Sequence, residues 1–296
     1  MDLLRGLCAF PITPATPDGT VIETDLRRIV ARIARARVDS IGVLGSTGNY
    51  AYLSLEQRRR ATRIALEAAG GRVPVIVGVG ALRSDDAAAL ARDAREAGAQ
   101  GLLLAPVAYQ PLTPDEIVAH FRHVAEAGQL PLVIYNNPTT THVTLDHALL
   151  ARLAALPHVA GVKMPLPASG DIATEIAALR PLLPPGFVIG YSGDWGCARA
   201  LLDHADAWFS VAAGLWPDAT LTLSCAAGAG DATGTRLAEE RFQPLWALFR
   251  RYGSLRVIHA AARLMDLTEA VPQRPLLPLP DADHAALRAA IRAIDA

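Results

Sequence analysis

Lysine is nearly missing from this chain: of 28 basic residues, 27 are arginine and one, Lys163, is lysine. Cysteine is scarce as well, with three residues (Cys8, Cys197 and Cys225), widely spaced and odd in number. That usage argues against a disulfide framework and against a thiolate zinc site. Neither charge sign is in excess. A net charge of −1 and a pI near 6.7 provide no global basic field to draw nucleic acid or an anionic membrane surface. Long apolar runs are missing too, none approaching the roughly 18 residues needed to span a bilayer. The opening Met1-Asp2-Leu3-Leu4-Arg5 lacks the basic start and apolar stretch of a secretory leader, so a soluble cytoplasmic protein is expected. The eight histidines are scattered, without a His-x-His or His-x₃-His pair at a strand end, so a metal-dependent site is not expected.

What the chain does have is hydrophobic residues, 51% of its 296, enough for a large core. Short apolar runs alternate with longer amphipathic stretches. Candidate strands are Leu7–Ile12, Ser40–Gly45, Pro74–Val79, Gly101–Pro106, Pro131–Asn136, Val159–Met164, Phe187–Ser192 and Ala207–Ala212. Their near-continuous apolarity suits parallel strands buried on both faces. Helical patterns lie between them, as at Glu23–Ala36, Ser54–Ala69, Ser84–Ala97 and Thr113–Ala127. Ser54 and Thr113 are capping signals, and Gly70, Gly98 and Gly128 are expected helix stops. Eight strand–helix units predict an α/β fold, a (β/α)₈ TIM barrel over residues 1–230, with residues 231–296 as a C-terminal helical extension packed on it. An open doubly wound sheet is the runner-up. It usually announces a Gly-rich phosphate turn after its first strand, and Thr13-Pro14-Ala15-Thr16-Pro17-Asp18-Gly19 is not one. A Pro/Leu-rich break from Pro272 to Pro280 precedes a last helix near Asp283–Ile294.

In such a barrel, active groups sit at the C-terminal strand ends and in the loops that follow. Lys163 falls inside the sixth apolar run. Arginine cannot serve as an amine nucleophile, so a lone lysine among arginines reads as a chemical requirement. Burial is costly to an ammonium and favours the uncharged amine that attacks a carbonyl. An outward salt bridge is the bland alternative, but a strand enclosed by helices offers few exits. Tyr135 ends the preceding strand, and a phenol there can move the protons that imine chemistry requires. Taken alone, a packed core tyrosine would be the commoner case. Gly45-Ser46-Thr47-Gly48 offers two hydroxyls and consecutive N–H groups, a nest for a carboxylate, though a generic small-residue turn reads the same.

Together these residues resemble the dihydrodipicolinate synthase and N-acetylneuraminate lyase superfamily. The resemblance runs from Phe10-Pro11-Ile12-Thr13-Pro14 to Ser210-Val211 and rests most on Gly45-Ser46-Thr47-Gly48, Tyr135-Asn136-Asn137-Pro138 and Gly161-Val162-Lys163. It implies a class I lyase or aldolase in which Lys163 forms an imine with pyruvate or another 2-oxo acid. Tyr135 would then be the proton carrier, and Ser46 and Thr47 would hold the keto acid's carboxylate, Thr47 also through its N–H. Gly193 falls in the family's Ser-Gly-Asp turn, and Phe209 matches a position that contacts the keto acid. The resemblance further implies a homotetramer built as a dimer of dimers, with no metal or organic cofactor.

Two departures stand out. Where the synthase branch reads Pro-Tyr-Tyr after strand 4, with the second tyrosine crossing a dimer interface, an ungapped match places Val107 and Ala108. Tyr109 lies one residue further on and substitutes only if the loop is rearranged. Where that branch has an arginine for the second substrate's carboxylate, this chain has Thr140, which cannot replace a bidentate guanidinium. The expected function is therefore Schiff-base cleavage, condensation or dehydration other than dihydrodipicolinate synthesis. The loops Thr139–His142 and Tyr191–Trp195 are expected to shape the second-substrate pocket, with His142 a candidate contact. A non-catalytic 2-oxo-acid-binding protein on the same scaffold is the alternative.

Overall fold

The computed structural model describes residues 3–296; Met1 and Asp2, part of the segment read for a leader, lie outside them. The chain runs β1 (Gly6–Ala9), α1 (Glu23–Ala36), β2 (Ser40–Val43), α2 (Leu55–Ala69), β3 (Val75–Gly78), α3 (Ser84–Glu96), β4 (Gly101–Leu104), α4 (Pro114–Gly128) and β5 (Leu132–Tyr135). It continues through the short α5 (Pro138–Thr141), α6 (His147–Ala154), β6 (Val159–Pro165), α7 (Ile172–Leu179), β7 (Val188–Ser192), α8 (Asp194–Leu202), β8 (Ala207–Ser210) and α9 (Pro217–Gly228). The last helices are α10 (Ala232–Glu240), α11 (Gln243–Tyr252), α12 (Ser254–Leu264) and α13 (His284–Asp295). Among the described residues, the eight strands pair in parallel and in sequence order, β8 closing on β1. Each expected strand is present, most of them shorter than expected, while β6 runs on to Pro165 and β1 starts at Gly6; the fold is the (β/α)₈ barrel rather than an open sheet. No helix among the described residues is long and apolar enough to cross a membrane.

Strand alternation sorts the apolar side chains into two layers. One fills the barrel, with Cys8, Phe10, Ile76, Leu103, Val133, Tyr135, Val188 and Phe209. The other lies between barrel and helices, with residues such as Ile41, Leu102, Ile134 and Val162 packed against the helices' apolar faces. Glycines decide where the inner layer can close. An added Cβ at Gly42 would stand 2.3 Å from the Phe10 ring, so the missing side chain leaves that ring its place beneath the site. At Gly78 it would stand 1.9 Å from the Leu44 carbonyl oxygen. Leu44 itself has a φ of 57°, a left-handed conformation that costs a branched residue energy. The chain thus leaves β2 through a sharp, strained turn seated directly on β3.

The helix ends expected from the sequence hold with one exception. Ser54 accepts from the Gln57 N–H, and Thr113 forms a reciprocal capping box with Glu116, an arrangement worth about 1 kcal/mol. Gly70 is the left-handed cap of α2, and Gly98, with a φ of 94°, follows the end of α3. Gly128, expected as the stop of α4, is instead its last helical residue, and Gln129 takes the left-handed cap. An added Cβ at Gly128 would lie 2.4 Å from Leu102 Cδ1, so close packing on β4 accounts for that glycine.

After α9 the chain adds α10 to α13. Helix α10 packs on α9, and α11 packs on α8 and α13. The segment from Pro272 to Pro280 is free of helix and strand, as its proline content requires.

Candidate active site

Tyr135 and Lys163 occupy paired positions on β5 and β6, so both side chains leave the sheet on the same face at the same height. Lys163 is 7% exposed, and its Nζ lies 4.5 Å from the centre of the Tyr135 ring and 5.8 Å from that of Phe10. The amine therefore stands on aromatic faces, which attract it while it is charged, and no side-chain carboxylate is paired with it among the described residues. The lysine points inward, as expected.

Both residues line a cavity of ≈ 430 Å³ at the C-terminal mouth of the barrel. Ser46, Thr47, Thr140, Gly193 and Phe209 line it too, so the structure gathers six of the expected site residues around Lys163. Tyr109 is not among them. It is 88% exposed on the loop after β4 and does not reach its own chain's cavity. The loop carries the ring outward from its own chain's barrel. His142 is exposed, in a left-handed conformation after α5, and lies outside the cavity lining. The short helix Pro138–Thr141 turns the chain there, so Asn137, Thr139 and Thr140 face the cavity in its place.

The Tyr135 hydroxyl is held by its own loop, accepting from Asn137 Nδ2 at 3.3 Å and Thr140 Oγ1 at 3.4 Å. Burial pushes this phenol's pKa up. The charge of Lys163 and hydrogen bonds from Thr140, Asn137 and Ser46 outweigh it, and the net shift is below the ordinary tyrosine value. A phenol that ionises more readily than usual beside an amine can both give and take a proton.

Several contributors were not singled out by sequence reasoning, although Asp194 belongs to the Ser-Gly-Asp turn that it noted. Asp194, fully buried at the start of α8, accepts from Trp208 Nε1 at 3.0 Å and from the N–H groups of Val211 and Ala212 at 3.2 and 2.7 Å. Burial raises its pKa, and those three donors oppose the rise. It clamps β8 and the turn that follows, which present Phe209 and Val211. The α11–α12 junction supplies Phe249, Gly253, Ser254 and Leu255 to the cavity.

A buried polar bridge joins the strand-2 turn to the helical extension. Asn49 Nδ2 donates to Gln273 Oε1 at 2.5 Å and lies 3.2 Å from His259 Nε2. Burial lowers the His259 pKa from 6.5 to about 4. The unfolded chain therefore binds this proton more readily between those two values, and stability falls as pH falls through that window. Urea unfolding from pH 6.5 to 4 should show a loss to which His259 contributes about 1–3 kcal/mol. A His259→Gln variant should flatten that part of the curve. An unchanged acid limb would assign the loss to other groups such as His120, which burial also lowers to about 4.

A closed parallel barrel with an inward lysine and an adjacent tyrosine at its C-terminal end defines a class I, Schiff-base-forming lyase. The model of the dihydrodipicolinate synthetase family matches residues 3–294, and the chain belongs to that family. A 4-hydroxy-tetrahydrodipicolinate synthase of Azoarcus sp. (strain BH72) is 33% identical over 291 residues, covering 98% of each chain. The enzyme of that name from Thiobacillus denitrificans is 34% identical, covering 97% of this chain and 96% of its own. Among solved structures, a dihydrodipicolinate synthase from Agrobacterium tumefaciens str. C58 has a TM-score of 0.97 and 52% identity, covering 99% of this chain and 98% of its own. The chloride-inhibited dihydrodipicolinate synthase of Acinetobacter baumannii, solved with pyruvate, has a TM-score of 0.89 and 27% identity over 99% of both chains.

Proposed function

We propose that this enzyme makes or breaks a carbon–carbon bond in pyruvate or a closely related 2-oxo acid, or dehydrates such an acid, through an imine on Lys163. The observation that carries this reading is the side-by-side placement of Lys163 and Tyr135 over one cavity with Ser46 and Thr47. The keto acid's carboxylate docks on the two hydroxyls and the Thr47 N–H. The neutral amine attacks C2, water leaves, and the protonated imine becomes the electron sink. The bond between C3 and C4 then breaks, or a C3 proton leaves, and Tyr135 moves the proton. The pyruvate complex of the A. baumannii relative supports the choice of keto acid. The buried amine and its tuned phenol favour turnover over a role in binding alone.

The curated relatives carry the synthase name, yet we assign this chain a different principal reaction. Thr140 stands where a guanidinium would have to hold the second substrate's carboxylate, and no arginine lines the cavity. We also propose that the exposed Tyr109 completes the site of a neighbouring subunit in a homotetramer, since it does not reach its own.

Borohydride reduction with pyruvate, followed by peptide mapping, tests the imine: a reduced adduct on Lys163 is expected, and its absence in folded protein overturns the reading. A steady-state assay with pyruvate and aspartate semialdehyde tests the rest. High efficiency there would restore dihydrodipicolinate synthesis as the reaction.

A further inference from the structure

The cavity above Lys163, at ≈ 430 Å³, is far larger than a three-carbon keto acid. Strand order puts β6 opposite the β2 turn that carries Ser46 and Thr47, with β7 and β8 following it round the barrel. On that far side the lining is mainly apolar, with Pro165, Leu166, Val211, Phe249, Leu255 and the Trp195 indole, and Ser254 adds a hydroxyl. Trp195 stays 37% exposed at the mouth.

Most polar side chains nearby are already engaged, the Ser254 hydroxyl and the Trp195 N–H being the exceptions. Thr139 Oγ1 donates to Asn137 Oδ1 at 2.6 Å, and Asn137 and Thr140 donate to the Tyr135 hydroxyl. Ser192 Oγ donates to the Met164 carbonyl at 3.2 Å, and the Asp194 carboxylate accepts three protein donors. Lys163 is the sole cationic side chain in the lining, and in the protonated imine its charge sits beside the keto acid's own carboxylate.

We propose that this far wall binds the carbonyl partner of the lyase reaction and that the partner is an uncharged aldehyde with an aryl or alkyl body. The inference rests on the imine reading above. A carboxylate or phosphate on the partner would lose its water with no cation to replace it. The several hydroxyls of a polyol would leave water for a wall that offers only the Ser254 hydroxyl and the Trp195 N–H uncommitted. An apolar body gains by leaving water for this wall.

In the synthetic direction the pyruvate enamine on Lys163 forms a bond from C3 to the aldehyde carbon. The aldehyde oxygen takes a proton from Tyr135, and water hydrolyses the imine, freeing a 4-hydroxy-2-oxo acid and the amine. Cleavage runs the same steps backwards, returning pyruvate and the aldehyde.

The test is condensation of pyruvate with benzaldehyde, hexanal, glyceraldehyde and succinic semialdehyde, with the 4-hydroxy-2-oxo acid measured by mass spectrometry and borohydride trapping run alongside. The kcat/KM values for benzaldehyde and hexanal should exceed the other two by about 30-fold or more. Equal rates, a reversed order or no condensation, in protein that traps pyruvate on Lys163, would overturn the proposal and leave the imine standing. Failure to trap would overturn both. Leu255→Arg should shift the ratio of succinic semialdehyde to hexanal upward by about tenfold. An unmoved ratio in that variant would remove Leu255 from the wall and count against the proposal.

Discussion

Replacing Lys163 with methionine should abolish turnover, by roughly 10⁴-fold or more, because no other group can form the imine. The residue is the chain's only lysine, so the variant keeps no ε-amine, and mass spectrometry after borohydride should show no pyruvate adduct beyond background on the α-amine. Lys163→Arg should be as inactive although it keeps the charge, since guanidinium is not a nucleophile at working pH. That pair separates nucleophilic from electrostatic roles. The methionine variant should also fold, with a Tm unchanged or raised, because it removes a buried amine with no carboxylate partner and leaves the Tyr135 and Phe10 rings a hydrophobic neighbour. Residual activity in Lys163→Arg within tenfold of the parent would sink the Schiff-base mechanism.

The second large effect is expected at Tyr135. Tyr135→Phe removes one oxygen from a packed ring and should lower kcat by about 10²–10³-fold, the usual worth of a positioned proton carrier. The pH profile discriminates this from a packing defect. The folded phenol ionises below its ordinary value of 10, so the alkaline limb of kcat should begin lower than for an unperturbed tyrosine. Below that limb the hydroxyl is intact and can donate; above it the phenolate cannot. In Tyr135→Phe the slow residual rate should lose that limb. A profile that keeps it would assign the ionisation to another group.

The barrel was legible because buried parallel strands leave a signal that depends little on tertiary detail: runs such as Leu132–Tyr135 and Val75–Gly78 are apolar on both faces. The chemical core was legible for a related reason. Lys163, Tyr135, Ser46 and Thr47 sit at strand ends, where the fold itself dictates direction. Gly128 misled because a glycine near a helix end can serve either a left-handed turn or close packing, and the Leu102 side chain that decides between them is distant in sequence. His142 misled because a loop residue takes its direction from backbone turns that propensity does not encode. The turn that holds Asp194 was visible but its role as a clamp was not, and the Phe249–Leu255 wall gave no signal: each matters through segments that the fold brings to it.

The site's wall at the α11–α12 junction comes from chain more than 80 residues beyond Lys163. Bond chemistry and the part of the wall made by Phe249 and Leu255 are thereby carried on separate stretches of the gene. Drift or exchange in the terminal helices can reshape that part of the wall while the strand ends are unchanged. A lineage on this scaffold can diversify its substrates without ever passing through an inactive ancestor.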